Sequence, residues 1–198
     1  LLRLESIVEA APRVLESQGQ TAMFPASSDE LSMQCQNHPG AVLLAGSTDV
    51  GLLVTKQLRT LPKVIHVSRA KDLRAVSRTA DGLRMGAAVS LADAAIELCR
   101  DYPELAELWQ RFASPAVRHV ATLVGNVANG SPIGDSMPAL MALGARVVLR
   151  VAAEPRTLAL EDFYLGYQRN ALRSGEFIET IDVPARPDGL FLRVYKVS

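Results

Sequence analysis

Cysteine is scarce in this chain of 198 residues, and neither sign of charge is in excess. The two cysteines, Cys35 and Cys99, stand far apart with no C-x-x-C pair, and His38, His66 and His119 lie at spacings that match no zinc or haem pattern. No metal site is therefore expected, and no iron–sulfur cluster held by the chain's own residues. Lysine plus arginine numbers 21 and aspartate plus glutamate 21, with ten of each sign through position 99 and eleven of each after it. A nucleic-acid binder or an anionic-membrane binder carries a basic excess on at least one stretch, so neither partner is expected. No apolar run approaches the roughly 18 to 20 residues a membrane span needs, and the first twenty residues are charged and lack a signal-peptide core. A reduced, cytoplasmic setting fits these absences. What is present is apolar material, 48% of the residues, enough for a core in one ordinary domain or two small lobes.

Residues 1–19 read as a helical lead-in broken at Pro12 and stopped at Gly19, with no place in a sheet. Ser28 reads as the N-cap of a helix from Asp29 to Asn37. The all-apolar run Ala41–Ala45 and the run Val64–Val67 read as buried strands joined by an amphipathic stretch from Val50 to about Leu58, a βαβ unit. Beyond Asp72 the pattern alternates. Leu73–Arg78 and Leu83–Ala88 predict a hairpin around Asp81-Gly82, and Ser90-Leu-Ala-Asp93 predicts a capped helix continuing to Arg100. A second helix is expected from Pro103 to about Phe112, strands at 145–151, 178–183 and 190–197, and a helical turn from Leu160 to Tyr167. The whole predicts an α+β fold of two lobes: a small parallel α/β lobe to about residue 71, then a larger, mainly antiparallel α+β lobe.

Two stretches have the composition of ligand-binding loops. Leu43-Leu-Ala-Gly-Ser-Thr-Asp-Val50 follows a buried strand and opens a helix. Gly46 allows a close backbone approach to an anion there, and Ser47 and Thr48 can donate hydroxyl hydrogen bonds to phosphate oxygens. The stretch is neither a Walker A loop nor G-x-G-x-x-G. Thr122 to Asp135 holds three glycines, two asparagines, Ser131, Thr122 and Asp135, and reads as a long polar loop able to wrap a phosphorylated, hydroxyl-rich ligand. Ser47, Ser131 and Ser136 have no histidine partner for nucleophilic catalysis, and Glu161-Asp162 reads as a solvated helix start. One polar loop in each lobe suggests an extended dinucleotide held between them, with any hard chemistry supplied by that cofactor.

These loops, in this order, resemble the FAD-binding domain of the molybdenum hydroxylases, and most strongly its xanthine dehydrogenase branch. The likeness runs from about Phe24 to the last residue, through Ala45–Val50, Phe112-Ala-Ser, Thr122–Asn126, Ala128–Asp135, Leu160–Phe163, Gly175-Glu-Phe-Ile178 and Tyr195-Lys196. The resemblance implies a two-lobed flavoprotein fold of the vanillyl-alcohol-oxidase/PCMH type. It assigns Leu43, Leu44, Ala45, Gly46, Ser47, Thr48, Asp49 and Val50 to the FAD pyrophosphate, and Phe112 to a face of the isoalloxazine. It assigns Thr122, Gly125, Asn126 and Asn129 to the second phosphate and ribityl loop. Asp135 falls to the cofactor's hydroxyls, Ile178 to an apolar contact, and Lys196 to a basic position near the flavin. Val124 stands where the family often has a second glycine.

The resemblance also implies a place in a larger enzyme. A molybdopterin-binding large subunit would oxidise a purine such as xanthine or hypoxanthine; the alternatives are the flavoprotein part of a carbon monoxide dehydrogenase, an aldehyde or nicotinate hydroxylase, or a non-redox nucleotide-binding module whose glycine loops are structural. Two [2Fe-2S] clusters, on an upstream domain of the same full-length chain, would pass the electrons to FAD, and NAD+ would accept a hydride. Residues 1–20 become a linker from that iron–sulfur domain, 21–71 and 72–185 the two FAD-binding lobes, and 186–198 the start of a further domain.

Overall fold

The computed structural model describes residues 13–167 and 169–195. Its first sheet begins where the sequence suggested helix. Val14–Ser17 (β1) and Gln20–Met23 (β2) form an antiparallel hairpin whose two-residue turn places both Gln18 and Gly19 at positive φ, 50° and 76°. Gly19 is therefore a hairpin residue and not a helix stop, because a two-residue turn with positive φ at both positions matches the twist of paired strands. The helical reading of 13–19 is corrected on that ground, and positions 1–12 lie outside the described residues.

β2 pairs in parallel with Lys63–His66 (β4), which pairs in parallel with Val42–Leu44 (β3), giving the order β1-β2-β4-β3. Between β2 and β3 runs Ser28–Asn37 (α1), capped one residue earlier than expected, by Ser27, whose Oγ accepts from the Glu30 amide at 3.2 Å. Ser28 instead donates its amide to Asp72 Oδ2 at 2.9 Å, tying the helix start to the following turn. Between β3 and β4 runs the short helix Val50–Thr55 (α2).

The second sheet is wholly antiparallel. Val76–Thr79 (β5) and Gly82–Gly86 (β6) form the expected hairpin. Arg146–Val151 (β7) and Glu154–Ala159 (β8) form another, and Phe177–Pro184 (β11) lies between the two, in the order β5-β6-β11-β7-β8. Leu73 does not extend β5; it sits in a 3-10 turn, Asp72–Arg74. Ser90 caps Leu91–Asp101 (α3), its Oγ accepting from the Asp93 amide at 3.0 Å. Pro103–Leu105 is a 3-10 turn leading to Ala106–Arg111 (α4), followed by Pro115–Val120 (α5).

The expected long loop is largely helical: Leu123–Asn129 (α6), ended by Gly130 at φ 59°, then a turn, then Ser136–Ala142 (α7). Leu160–Phe163 (α8) is shorter than expected because Tyr164–Gly166 (β9) pairs with Arg169–Asn170 (β10). Residues 190–195 are not strand, against the sequence pattern. One apolar cluster joins the two sheets, with Met23, Leu31 and Ile65 from the first and Leu83, Met85, Leu149 and Ile181 from the second. Among the described residues no helix is long and apolar enough to cross a membrane.

Candidate functional site

The carboxyl end of β3 delivers residues 45–49 against the junction of α5 and α6, and Gly46 is what lets it arrive. A Cβ added at Gly46 would lie 2.2 Å from the Val120 carbonyl oxygen and 2.5 Å from Ala121 Cα, both backbone atoms. The residue that departs from ordinary backbone conformation is the next one, Ser47, at φ 60°. Its carbonyl accepts from the Gly51 amide at 2.8 Å, closing the turn into α2. The sequence reading gave the glycine a ligand-approach role; the geometry adds a chain-on-chain contact that brings the two turns together.

α6 forms the opposite wall. Thr122 caps it, Oγ1 accepting from the Gly125 amide at 3.0 Å, and a Cβ at Gly125 would come within 2.8 Å of that hydroxyl. Val124 lies in right-handed helix and is buried, so it needs no positive φ and its replacing a glycine disturbs nothing in the backbone. Tyr164 donates its hydroxyl to the Val127 carbonyl at 2.7 Å, and Asn170 Nδ2 donates to the Ala128 carbonyl at 3.4 Å, so the β9–β10 hairpin braces the end of α6. Burial pushes the Tyr164 phenol pKa well above its usual value, keeping it a neutral donor.

Between these walls lies a cavity of about 270 Å³. It gathers Leu43, Ala45, Gly46, Ser47, Thr48, Asp49 and Val50 from the first turn and Thr122, Gly125, Asn126 and Asn129 from the second, with Ile178 from β11. Leu44 points to the other face of β3, as alternation along a strand requires, and is not in the lining. Phe112 is also absent from the lining: it ends α4, buried, with its ring tilted on Trp109 at 5.9 Å between centroids and its carbonyl accepting from Arg118. Asp135 precedes α7 and does not line the cavity. Lys196 lies outside the described residues.

Next to Ile178, the chain leading into β11 is fixed by residues the motif reading left without a role. Glu176, its side chain 2% exposed, accepts from Arg156 Nε and Nη2, both at 2.7 Å, and from the Arg173 amide at 2.7 Å. Arg156 also donates to the Ala171 carbonyl at 2.6 Å, so one ion pair fixes the segment that presents Leu172, Phe177 and Ile178 to the cavity. The Arg156 guanidinium holds the Glu176 carboxyl below its usual pKa. Glu176 stands inside the Gly175-Glu-Phe-Ile178 motif, but its partner Arg156 is 20 residues away and only the fold brings the two together.

A second cavity of about 330 Å³ shares Ala45, Val67 and Thr122 with the first and is lined by Ser68, Arg74, Ser90, Asp93 and His119. His66 sits beside it, its Nδ1 2.5 Å from Ser68 Oγ, and burial lowers its pKa.

The arrangement fits a dinucleotide better than a compact ligand. The first cavity is near the lower end of the roughly 300–1,000 Å³ usual for ligand pockets, so it takes a part of such a molecule, and the adjoining one continues it. Asp49 is its only charged lining residue among those described. A diphosphate would thus be met by hydroxyls, two carboxamides and the backbone of two glycine-bearing turns, while Leu43, Val50, Val124 and Ile178 offer apolar surface to a ring.

Comparison with known proteins decides the family. Residues 17–186 match the family described as the FAD binding domain in molybdopterin dehydrogenase. This chain belongs to that family. It is 31% identical over 193 residues to the xanthine dehydrogenase of Drosophila subobscura, covering 89% of this chain and 14% of the relative. It is 34% identical over 173 residues to a nicotinate hydroxylase of Emericella nidulans, covering 78% of this chain and 12% of that protein. The chain thus spans about one seventh of the length of the curated relatives it matches. Among solved structures it is similar to the carbon monoxide dehydrogenase of Hydrogenophaga pseudoflava, with TM-score 0.80, 25% identity, and coverage of 88% of this chain and 62% of the other. The quinoline 2-oxidoreductase of Pseudomonas putida 86 shares the fold at TM-score 0.79 and 22% identity, over 87% of this chain and 61% of the other.

Proposed function

We propose that this chain is the flavin-holding part of a molybdenum hydroxylase of the xanthine dehydrogenase type, with the coenzyme gripped between the turn at 45–50 and the start of α6. The observation that carries the reading is the Gly46 contact on Val120 and Ala121, which leaves the two turns side by side on one cavity. When bound, FAD would accept electrons from [2Fe-2S] clusters elsewhere in the enzyme and hand a hydride to NAD+. The chain's own residues bind and orient. Ser47, Thr48, Thr122, Asn126 and Asn129 would meet the phosphate and ribityl oxygens, and Ile178 would pack on an apolar part. The roles of Phe112, Asp135 and Lys196 belong to this proposal, as do the two-lobe reading with lobes at 21–71 and 72–185, a linker before them and a further domain after. The oxidised substrate would be chosen on a molybdopterin-binding subunit and not by this chain. The 34% identity to a nicotinate hydroxylase keeps a second reading in view, hydroxylation of a nitrogen heterocycle other than a purine.

Flavin content and turnover of the intact protein test both levels. The purified protein should show a flavin absorption band, release FAD on heat denaturation, and form NADH with xanthine. Gly46→Val should abolish flavin retention. A colourless protein that does not take up added FAD contradicts the flavin reading; NADH formation with nicotinate and not xanthine replaces the purine reading with the second.

A further inference from the structure

Ser136 is fully buried at the start of α7, and its hydroxyl donates to Asn126 Oδ1 at 2.5 Å. The Met137 thioether sulfur, a weak acceptor, also lies 3.8 Å from that hydroxyl. Asn126 is half-buried on α6 and lines the main cavity. A carboxamide has one acceptor edge and one donor edge, and which edge faces a ligand decides whether that ligand must bring an oxygen or a hydrogen. With Ser136 on the acceptor edge, Asn126 keeps its Nδ2 hydrogens for the cavity. Turned over, the amide would donate to Ser136 Oγ and leave the serine proton, among the described residues, to the weakly accepting sulfur, an exchange of a good hydrogen bond for a poor one in a buried place. The turned amide would also set an oxygen toward a cavity whose one charged lining residue is already an acid, Asp49.

We propose that Ser136 is a positioning residue: it fixes the Asn126 amide with its donor edge toward the cavity and so selects, at that point, a ligand oxygen such as a diphosphate or polyol oxygen of a dinucleotide. The inference rests on the flavin reading above and adds a residue that the family resemblance does not name.

A double-mutant cycle on the intact, flavin-stripped protein tests it, with FAD affinity read by fluorescence titration and folding by the melting of each apo form. Ser136→Ala is expected to weaken FAD binding about tenfold, the equivalent of one hydrogen bond. In the Asn126→Ala background the same change should weaken binding by less than about twofold, because the residue through which Ser136 acts is gone. Ser136→Cys, which keeps a weak donor and nearly the same volume, should fall between wild type and alanine; it carries the test if the alanine variant does not fold. Wild-type affinity in Ser136→Ala, or an undiminished loss in the Asn126→Ala background, overturns the proposal. Full FAD affinity in Asn126→Ala overturns it too while leaving the flavin reading intact, whereas an unmodified protein that binds no FAD removes both.

Discussion

At the scale of single residues, the first turn divides its work between two neighbours. Gly46 has ordinary backbone angles and is needed for space; Ser47 has space and adopts the left-handed angle. Substitutions should separate the two. Gly46→Ala places a methyl on the α5–α6 backbone and should cost about 1–3 kcal/mol, read by chemical denaturation, together with a loss of FAD affinity. Ser47→Gly should stay within about 1 kcal/mol of wild type, since relief of the left-handed penalty and the added chain entropy offset each other, while Ser47→Val should lose about 1–3 kcal/mol. Equal effects of glycine and valine at 47 would contradict the assignment of strain to that residue. The sequence told where the turn lies but not which residue bears the unusual angle, because a glycine in a motif reads the same whether it serves conformation or closeness. Leu44 shows the complementary limit: a contiguous motif assigns eight residues to a ligand, and strand alternation keeps one of those side chains out of the cavity lining.

At the scale of elements, α6 explains most of the difference between the linear reading and the structure. Gly125, Asn126, Asn129 and two valines are poor helix formers, and their composition points to a loop. Tertiary partners make the helix: the Thr122 cap at one end, and Tyr164 and Asn170 on carbonyls at the other. Thr122→Ala should therefore destabilise the protein by about 1 kcal/mol, and Tyr164→Phe by about 1 kcal/mol, both read by denaturant titration. An unchanged denaturation midpoint in both would contradict the role given to the cap and the brace. The β5–β6 hairpin and the capped start of α3 were legible because local chemistry fixed them, Asp81-Gly82 in one and Ser90 with Asp93 in the other. β8, β9 and β10 were not, since short strands in partly exposed hairpins carry little alternation.

At the scale of the molecule, ion pairs join segments that are far apart in the chain. Arg150 joins Asp29 and Ser28 of α1 to Glu179 of β11, and Arg186 grips Glu104 through two bonds of 2.8 and 2.6 Å. Arg186 draws the Glu104 carboxyl pKa down to about 2, and Arg156 depresses that of Glu176. A carboxyl whose pKa is lower in the folded state stabilises fully above its unfolded value and loses that contribution as pH falls through the folded one. The contribution of these two carboxyls should accordingly be constant above about pH 5 and be lost below the ordinary carboxylate value of about 4.3. Glu176→Gln should flatten part of that fall and lower stability at neutral pH, measured by denaturation across the range. A pH profile identical to wild type would separate Glu176 from the effect. The buried Cys35 thiol, pushed up to about 11 by desolvation, should resist alkylation in the native protein and react on unfolding.

In the proposed site the turn after β3 and the capped start of α6 hold one coenzyme's diphosphate between them. A crystal structure of the protein with FAD tests it most directly. Diphosphate oxygens are expected within about 3 Å of donors from both 45–48 and 122–126, with the ligand continuing between the two adjoining cavities. Density for the diphosphate against only one of those turns, or elsewhere on the molecule, would contradict it.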